Sequence, residues 1–286
     1  MHFDSILAVS DLTALSAHAL ERAALLARQH RTTLRLVHFA EGPNTFLADP
    51  VARLAQRARQ LARRHEIAVH VLERSASLED VLVEVRASTL LVMGALSQRS
   101  WKRFHRGTTL DQAVHGSVCP LLVVKQAPHG PYERVLVAID LSPRSKPLID
   151  FARRFSTPTV LKLFHAIDTI EDAKLRSVNV SRETIQANRS GSRQQARDRL
   201  AQLIDGLDHG RHPLAFDVGN GDPAYSTALH QQATRAELVV VGKRRSSSLA
   251  QFLTGSVAQR LAKWNDSDVL VAPFDGLRSS GEDHHR

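Results

Sequence analysis

Cysteine is almost missing from this chain, as are aromatic side chains and long apolar runs, and each shortage removes a class of protein. The single Cys119 in 286 residues cannot close an internal disulfide, so no disulfide framework is expected, and a reducing cytoplasm is the expected compartment. It stands before Pro120 and a strand, where it reads as a small buried thiol. No apolar run of about 18 residues occurs, which predicts no membrane span. The opening Met1-His2-Phe3-Asp4 lacks the basic segment and apolar region of an export signal. With 10 Phe, 2 Trp and 2 Tyr, and no reading helix or aromatic sheet motif, the chain has few stacking platforms, so a nucleic-acid partner is disfavoured. The 15 His are scattered without a Cys pair, which predicts no metal site.

What the chain does carry is positive charge. Lys and Arg number 38 against 29 Asp and Glu, for a net charge of +9. That balance favours phosphates, nucleic acid or anionic lipid without choosing among them. Arg53, Arg57, Arg59, Arg63 and Arg64 fall on a predicted helix whose other face is Val51, Leu54, Ala55, Ala58, Leu61 and Ala62, and they read as a solvated basic face. Arg99, Lys102, Arg103 and Arg106, and likewise Lys243, Arg244 and Arg245, instead border two glycine loops.

Those loops belong to a repeat. Leu90-Leu91-Val92-Met93-Gly94, then Ser97, then Gly107-Thr108 is matched by Leu238-Val239-Val240-Val241-Gly242, then Arg245, then Gly255-Ser256. Gly94 and Gly242 are 148 residues apart, as are Gly107 and Gly255, whereas Asp11 and Asp140, which end the first strands, are 129 apart. The difference is an insertion of 19 residues in the second copy. Because His38 and His165 end matching second strands, it falls after His165, between Ile167 and Gly210. One folding unit was used twice. The expected division is a first domain over 1–126, a Pro- and Gly-bearing linker over 127–132, a second domain over 133–276 and a frayed polar tail over 277–286.

Within each copy, short apolar strands alternate with amphipathic helices. Strands are expected near 5–9, 34–39, 67–72, 89–93 and 121–125, with helices near 14–29, 49–64, 77–87 and 108–117. The first helix shows the stripe Leu15, Ala19, Leu20, Ala23, Ala24 and Ala27. The second copy repeats the strands near 134–139, 160–165, 214–218, 237–241 and 268–272, and Asp222-Pro223 starts a helix as N-cap and first position. The fold class is α/β: two tandem doubly wound Rossmann-like domains, each on a five-stranded parallel sheet.

In such sheets ligands sit beyond the carboxyl ends of the strands. Asp11, Gly94 and Gly107-Thr108 fall there in one copy, and Asp140, Gly242 and Gly255-Ser256 in the other. A Gly closing a strand lets a ligand approach the backbone. A Gly before a hydroxyl at a helix start aims N–H groups outward, which suits phosphate. A second reading stays open: Asp11, Asp140, Thr108 and Ser256 could simply cap helices. His38 and His165 read as packed and hydrogen bonded.

The chain resembles a tandem universal stress protein over nearly all its length. Ile6 to Asp11, Val135 to Asp140, Leu36-Val37-His38, Leu163-Phe164-His165, Gly221-Asp222-Pro223-Ala224 and the glycine loops carry the likeness. The nucleotide-binding branch of that family has Gly, two residues, Gly, nine residues, Gly, then Ser or Thr. Both copies keep the spacing, but Ser97 and Arg245 stand where the middle Gly would be. If that position is left-handed, a side chain costs about 1–2 kcal/mol, so binding is weakened. Ser97 could itself bond phosphate, while Arg245 either fills the pocket or clamps a phosphate. The resemblance implies an adenine nucleotide such as ATP, bound weakly or in one domain, with Mg²⁺ only as its companion. It places Asp11 and Asp140 near phosphates or metal, and Gly94, Gly107, Thr108, Gly242, Gly255 and Ser256 along the phosphates.

Neither loop offers a repeated Glu, Gln or His to position water; His105 is matched by Leu253. The expectation is a binding or signalling protein with at most slow ATP hydrolysis, or else a scaffold or small-molecule binder with degenerate loops. An adenylating ligase would need a Ser- and Gly-rich loop behind the first strand, which Ser10-Asp11-Leu12-Thr13 and Asp140-Leu141-Ser142-Pro143 do not supply. The apolar strands Leu121-Leu122-Val123-Val124 and Val269-Leu270-Val271 are expected to pair as an internal pseudo-dimer; homodimerisation and protein partners stay open.

Overall fold

The computed structural model describes residues 3–40, 48–95, 108–156, 158–168, 182–207, 214–243 and 256–273. Two compact units divide the chain. Unit 1 comprises Met1–Pro131 with Lys243–Arg286, and unit 2 is Tyr132–Gly242.

Unit 1 holds strands β1 (Ser5–Ser10), β2 (Thr33–Phe39), β3 (Val69–Ala76), β4 (Thr89–Gly94), β5 (Leu121–Val124) and β10 (Asp268–Pro273) in the order β3-β2-β1-β4-β5-β10. The first five run parallel, and β10 is antiparallel to β5. Helices α1 (Ala14–His30), α2 (Pro50–His65), α3 (Leu78–Glu84), α4 (Thr109–Gly116) and α8 (Val257–Trp264) complete it. β4 and β5 are buried at every residue, as a sheet covered on both faces requires.

Helix α1 starts at Thr13, whose side chain accepts from the Ser16 N–H, and stops where Arg31 turns left-handed at φ 51°. Ala19, Leu20, Ala23, Ala24 and Ala27 are buried as the spacing predicts. Leu15 is not: it sits 37% exposed in the first turn, beyond the carboxyl end of β1. The basic face of α2 has a carboxylate beneath it. Glu21 of α1 lies 2.7 Å from His65 Nε2, 3.3 Å from Arg64 and 3.7 Å from Arg57, while Arg53, Arg59 and Arg63 stay exposed.

Strand β3 is displaced from its predicted 67–72. Glu66 closes α2 in a left-handed cap at φ 56°, and the Ile67 N–H bonds back to Ala62 O, so the strand starts only at Val69. It continues through polar Glu73-Arg74-Ser75 because β2 shifts register and pairs His38 with Ser75. Arg74 is held there by Asp80 (3.6 Å) and Glu84 (3.7 Å) of α3.

Unit 2 carries β6 (Arg134–Ala138), β7 (Val160–Ile167), β8 (Ala215–Asn220) and β9 (Leu238–Lys243), whose last residue, Lys243, falls in unit 1, in the parallel order β9-β6-β7-β8, with α5 (Ser145–Ser156), α6 (Arg182–Asp205) and α7 (Pro223–Thr234). Asp222 and Pro223 start α7 as predicted, the carboxylate accepting from Tyr225 N at 2.9 Å. The inserted residues show in α6, which has 24 residues against 16 in α2. Gly130 O of the predicted linker accepts from Arg22 at 2.6 Å, and Tyr132, which starts unit 2, is buried with its ring stacked on Phe155 at 6.4 Å between centroids.

Candidate functional site

An Asp follows each first strand, Asp11 one residue after β1 and Asp140 two after β6, and in both copies the next residue is left-handed: Leu12 at φ 60° and Leu141 at φ 57°. Leucine has no intrinsic liking for that region, so the Asp side chains must hold the turn. Asp11 Oδ1 accepts from Thr13 N (3.1 Å) and Thr13 Oγ1 (2.6 Å). Asp140 Oδ1 accepts from Ser142 N (3.0 Å) and Ser145 Oγ (3.4 Å). In the first copy Ser10 Oγ adds a bond from Leu12 N (3.2 Å) and one with Ser16 Oγ (3.1 Å). The two corners differ in access, since Asp11 is 2% exposed and Asp140 lies open.

Gly94 ends β4, the parallel neighbour of β1. A Cβ there would stand 3.0 Å from Leu15 O and 3.2 Å from Ser16 Cα, so the missing side chain lets the first turn of α1 lie against the strand end. The structure thus brings Asp11 and Gly94 together, through the turn that follows Asp11. In unit 2, Gly242 lies on β9 beside β6, whose end carries Asp140.

Thr108 and Ser256 are N-caps, of α4 and α8. Thr108 Oγ1 accepts from Asp111 N (3.2 Å), while Thr108 N and Oγ1 both donate to Asp111 Oδ2 (2.8 Å each). Ser256 Oγ accepts from Gln259 N (3.2 Å), and Ser256 N donates to Gln259 Oε1 (2.7 Å). Both are reciprocal capping boxes. Ser97, Gly107, Arg245 and Gly255 lie outside the described residues, as do His105 and Leu253.

The paired histidines are packed, as the sequence suggests. His38 Nδ1 lies 2.8 Å from Ser75 Oγ, and His165 Nδ1 donates to Ile139 O at 2.9 Å. Burial pushes the His38 pKa below the ordinary imidazole value, against the pull of the Asp11 charge. It is therefore neutral at pH 7. Cys119 is likewise buried, its thiol 3.3 Å from Ser117 Oγ and its pKa pushed up by burial. Among the described residues no three His, Cys, Asp or Glu cluster to hold a metal ion, and no helix is long and apolar enough to cross a membrane.

The Asp turns and the hydroxyl cap on Asp11 were missed by sequence reasoning. Their only signal is the small hydroxyl residue two places after each Asp, Thr13 and Ser142.

Parallel strands with helical crossovers, and an Asp-led turn beside a Gly-bearing strand twice over, define a tandem Rossmann-like α/β protein. The sequence model of the universal stress protein family matches residues 2–125 and 131–273, and the chain belongs to that family. The stress response protein NhaX of Bacillus subtilis (strain 168) is 34% identical over 56 residues, 20% of this chain and 34% of that one. The match thus spans about a third of that curated relative's length. A universal stress protein structure from Archaeoglobus fulgidus DSM 4304 covers 96% of this chain and is itself wholly covered, at a TM-score of 0.62 and 17% identity. Another from Pseudomonas aeruginosa UCBPP-PA14 covers 96% of this chain and 95% of its own, at 0.64 and 20%. These two likenesses are of fold.

Proposed function

We propose that the chain is a stress-response binding or signalling module that takes an adenine nucleotide such as ATP, weakly or in only one of its two copies (1–126 and 133–276), with at most slow hydrolysis. The repeated Asp turn, set beside a Gly-bearing strand at the carboxyl end of the sheet, carries this reading. A carboxylate accepts and cannot donate, so Asp11 and Asp140 suit Mg²⁺ brought by the nucleotide rather than bare phosphate. The capping boxes use the N–H groups of Thr108 and Ser256, which leaves phosphate to the amides of Thr109 and Leu110, or of Val257 and Ala258.

That same use of the cap groups favours a second reading, a scaffold or small-molecule binder with degenerate phosphate loops. Calorimetry of the full chain with ATP, ADP and AMP, with and without Mg²⁺, separates the two. Micromolar or weaker ATP binding that is lost in Asp11→Ala but kept in Asp140→Ala supports nucleotide binding in the first copy. No heat with any nucleotide, and none released from the purified protein by mass spectrometry, leaves the scaffold.

A further inference from the structure

The β5–β10 pairing has a two-fold register. At the 148-residue offset of the repeat, positions 121, 122 and 123 return as 269, 270 and 271, and they pair as Leu121 with Val271, Leu122 with Leu270 and Val123 with Val269. Leu122 therefore faces its own counterpart. Such a register suits a self-complementary contact, in which β5 could equally meet β5 of a second copy of this chain, and β10 meet β10. Neither the ladder nor its apolar side chains distinguish these pairings.

The flanking groups do. Beyond Val124, Asp268 Oδ1 accepts from the N–H groups of Lys125 (2.8 Å) and Gln126 (3.2 Å), and its Oδ2 lies 3.6 Å from Arg22 Nε. Lys125 Nζ donates to Asn265 O at 2.6 Å. At the repeat offset, Asp268 corresponds to Pro120 and Lys125 to Pro273. The helices follow the same rule. Lys263 of α8 lies 2.8 Å from Asp111 of α4, and their counterparts are His115 and Gln259. Lys243 donates to the carbonyls of His115 and Ser117 (2.9 Å to the latter) at the end of α4, and its counterpart is Ala95.

A β5–β5 contact would leave each Lys125 facing Pro120 where Asp268 now lies, a cation without its carboxylate. A β10–β10 contact would bury two Asp268 carboxylates, each 1% exposed here, opposite Pro273, which has no N–H to give. An uncompensated buried charge is strongly penalised, and fixing register is the best-attested use of such polar groups.

We infer that Lys125 with Asp268, Asp111 with Lys263, and Lys243 with the end of α4 form a pairing code, by which the β5/α4 edge accepts the β10/α8 edge and refuses the like edge of a second copy of this chain.

Thiol trapping on the full chain tests this in a Cys119→Ala background. Leu122→Cys alone would give disulfide-linked dimers if like edges met; the code predicts none on a non-reducing gel. Leu122→Cys with Leu270→Cys should crosslink β5 to β10. Adding Asp268→Lys should abolish that crosslink, and the single-thiol variant carrying it should still give no dimer, because Lys125 has no carboxylate in a like pair. Should Asp268→Lys fail to fold, Lys263→Asp, at a partly exposed site, should lower the crosslink yield, and Asp111→Asn should restore it. Dimers from Leu122→Cys, with the native charges or with Asp268→Lys, or an unchanged β5–β10 yield in both charge variants, would overturn the inference.

Discussion

Lys125 shows how one side chain sets a pH dependence. Burial pushes its pKa down to about 8 from 10.5, against the pull of Asp266 and Asp268. The unfolded chain therefore binds more protons between those values, so this group makes stability rise with pH across the window and fall again as pH drops through about 8. Lys125→Met should flatten that rise, read as the wild-type minus variant difference in urea midpoint at about pH 7.5 and about pH 9.5. A constant difference would mean that the ammonium is solvated. Gly94 makes the opposite kind of demand, for space. Gly94→Ala places a Cβ 3.0 Å from the Leu15 carbonyl, on helix backbone that cannot turn aside, and should cost about 1–3 kcal/mol by denaturant unfolding.

Among the elements, α1 and α2 are joined by the Glu21 cluster. Burial alone would raise the Glu21 pKa, but hydrogen bonds and charge from His65 and Arg64 outweigh it and hold it below 4.5. Its stabilisation is thus present above that value and lost as pH falls through the folded pKa. Glu21→Gln should lower the thermal midpoint at neutral pH while differing little from the wild type in strong acid. A constant gap would leave packing as the cause. The capping boxes are the other test at this scale: Thr108→Ala and Ser256→Ala should each cost about 1 kcal/mol, and nucleotide binding should change only if the hydroxyl also meets a ligand.

These elements were largely legible in the sequence, because hydrophobic period and cap residues act locally. Asp222-Pro223 announces α7, and the strand Leu90–Gly94 announces β4. Strand β3 was misplaced because its length follows a register shift in β2 and ion pairs from α3, neither of which is local. The candidate site was half legible. Asp11 and Asp140 could be named as strand-end residues, yet nothing in Leu12 or Leu141 signals a left-handed backbone, which tertiary packing and the Asp bonds impose. Likewise Gly94 could be read as room for a ligand, whereas the backbone of α1 is what lies 3.0 Å from its missing Cβ.

At the scale of the whole molecule, unit 1 is closed by the last part of the chain, since β10 covers the edge that β5 would otherwise expose. Val123 and Val271 lie in that contact and are buried. Val123→Asp or Val271→Asp should therefore raise amide exchange throughout β5 and β10, with β1 and β4 less affected. Uniform exchange across all four strands would mean that the edge is no separate cooperative piece.

The Leu122–Leu270 centre has an evolutionary corollary. Where identical chains meet about a two-fold axis, every mutation appears on both sides at once, and only changes compatible with their own rotated copy survive. Covalent fusion lifts that restriction. Each side can then drift alone, and Ser97 and Arg245 already stand at one and the same position of the repeat.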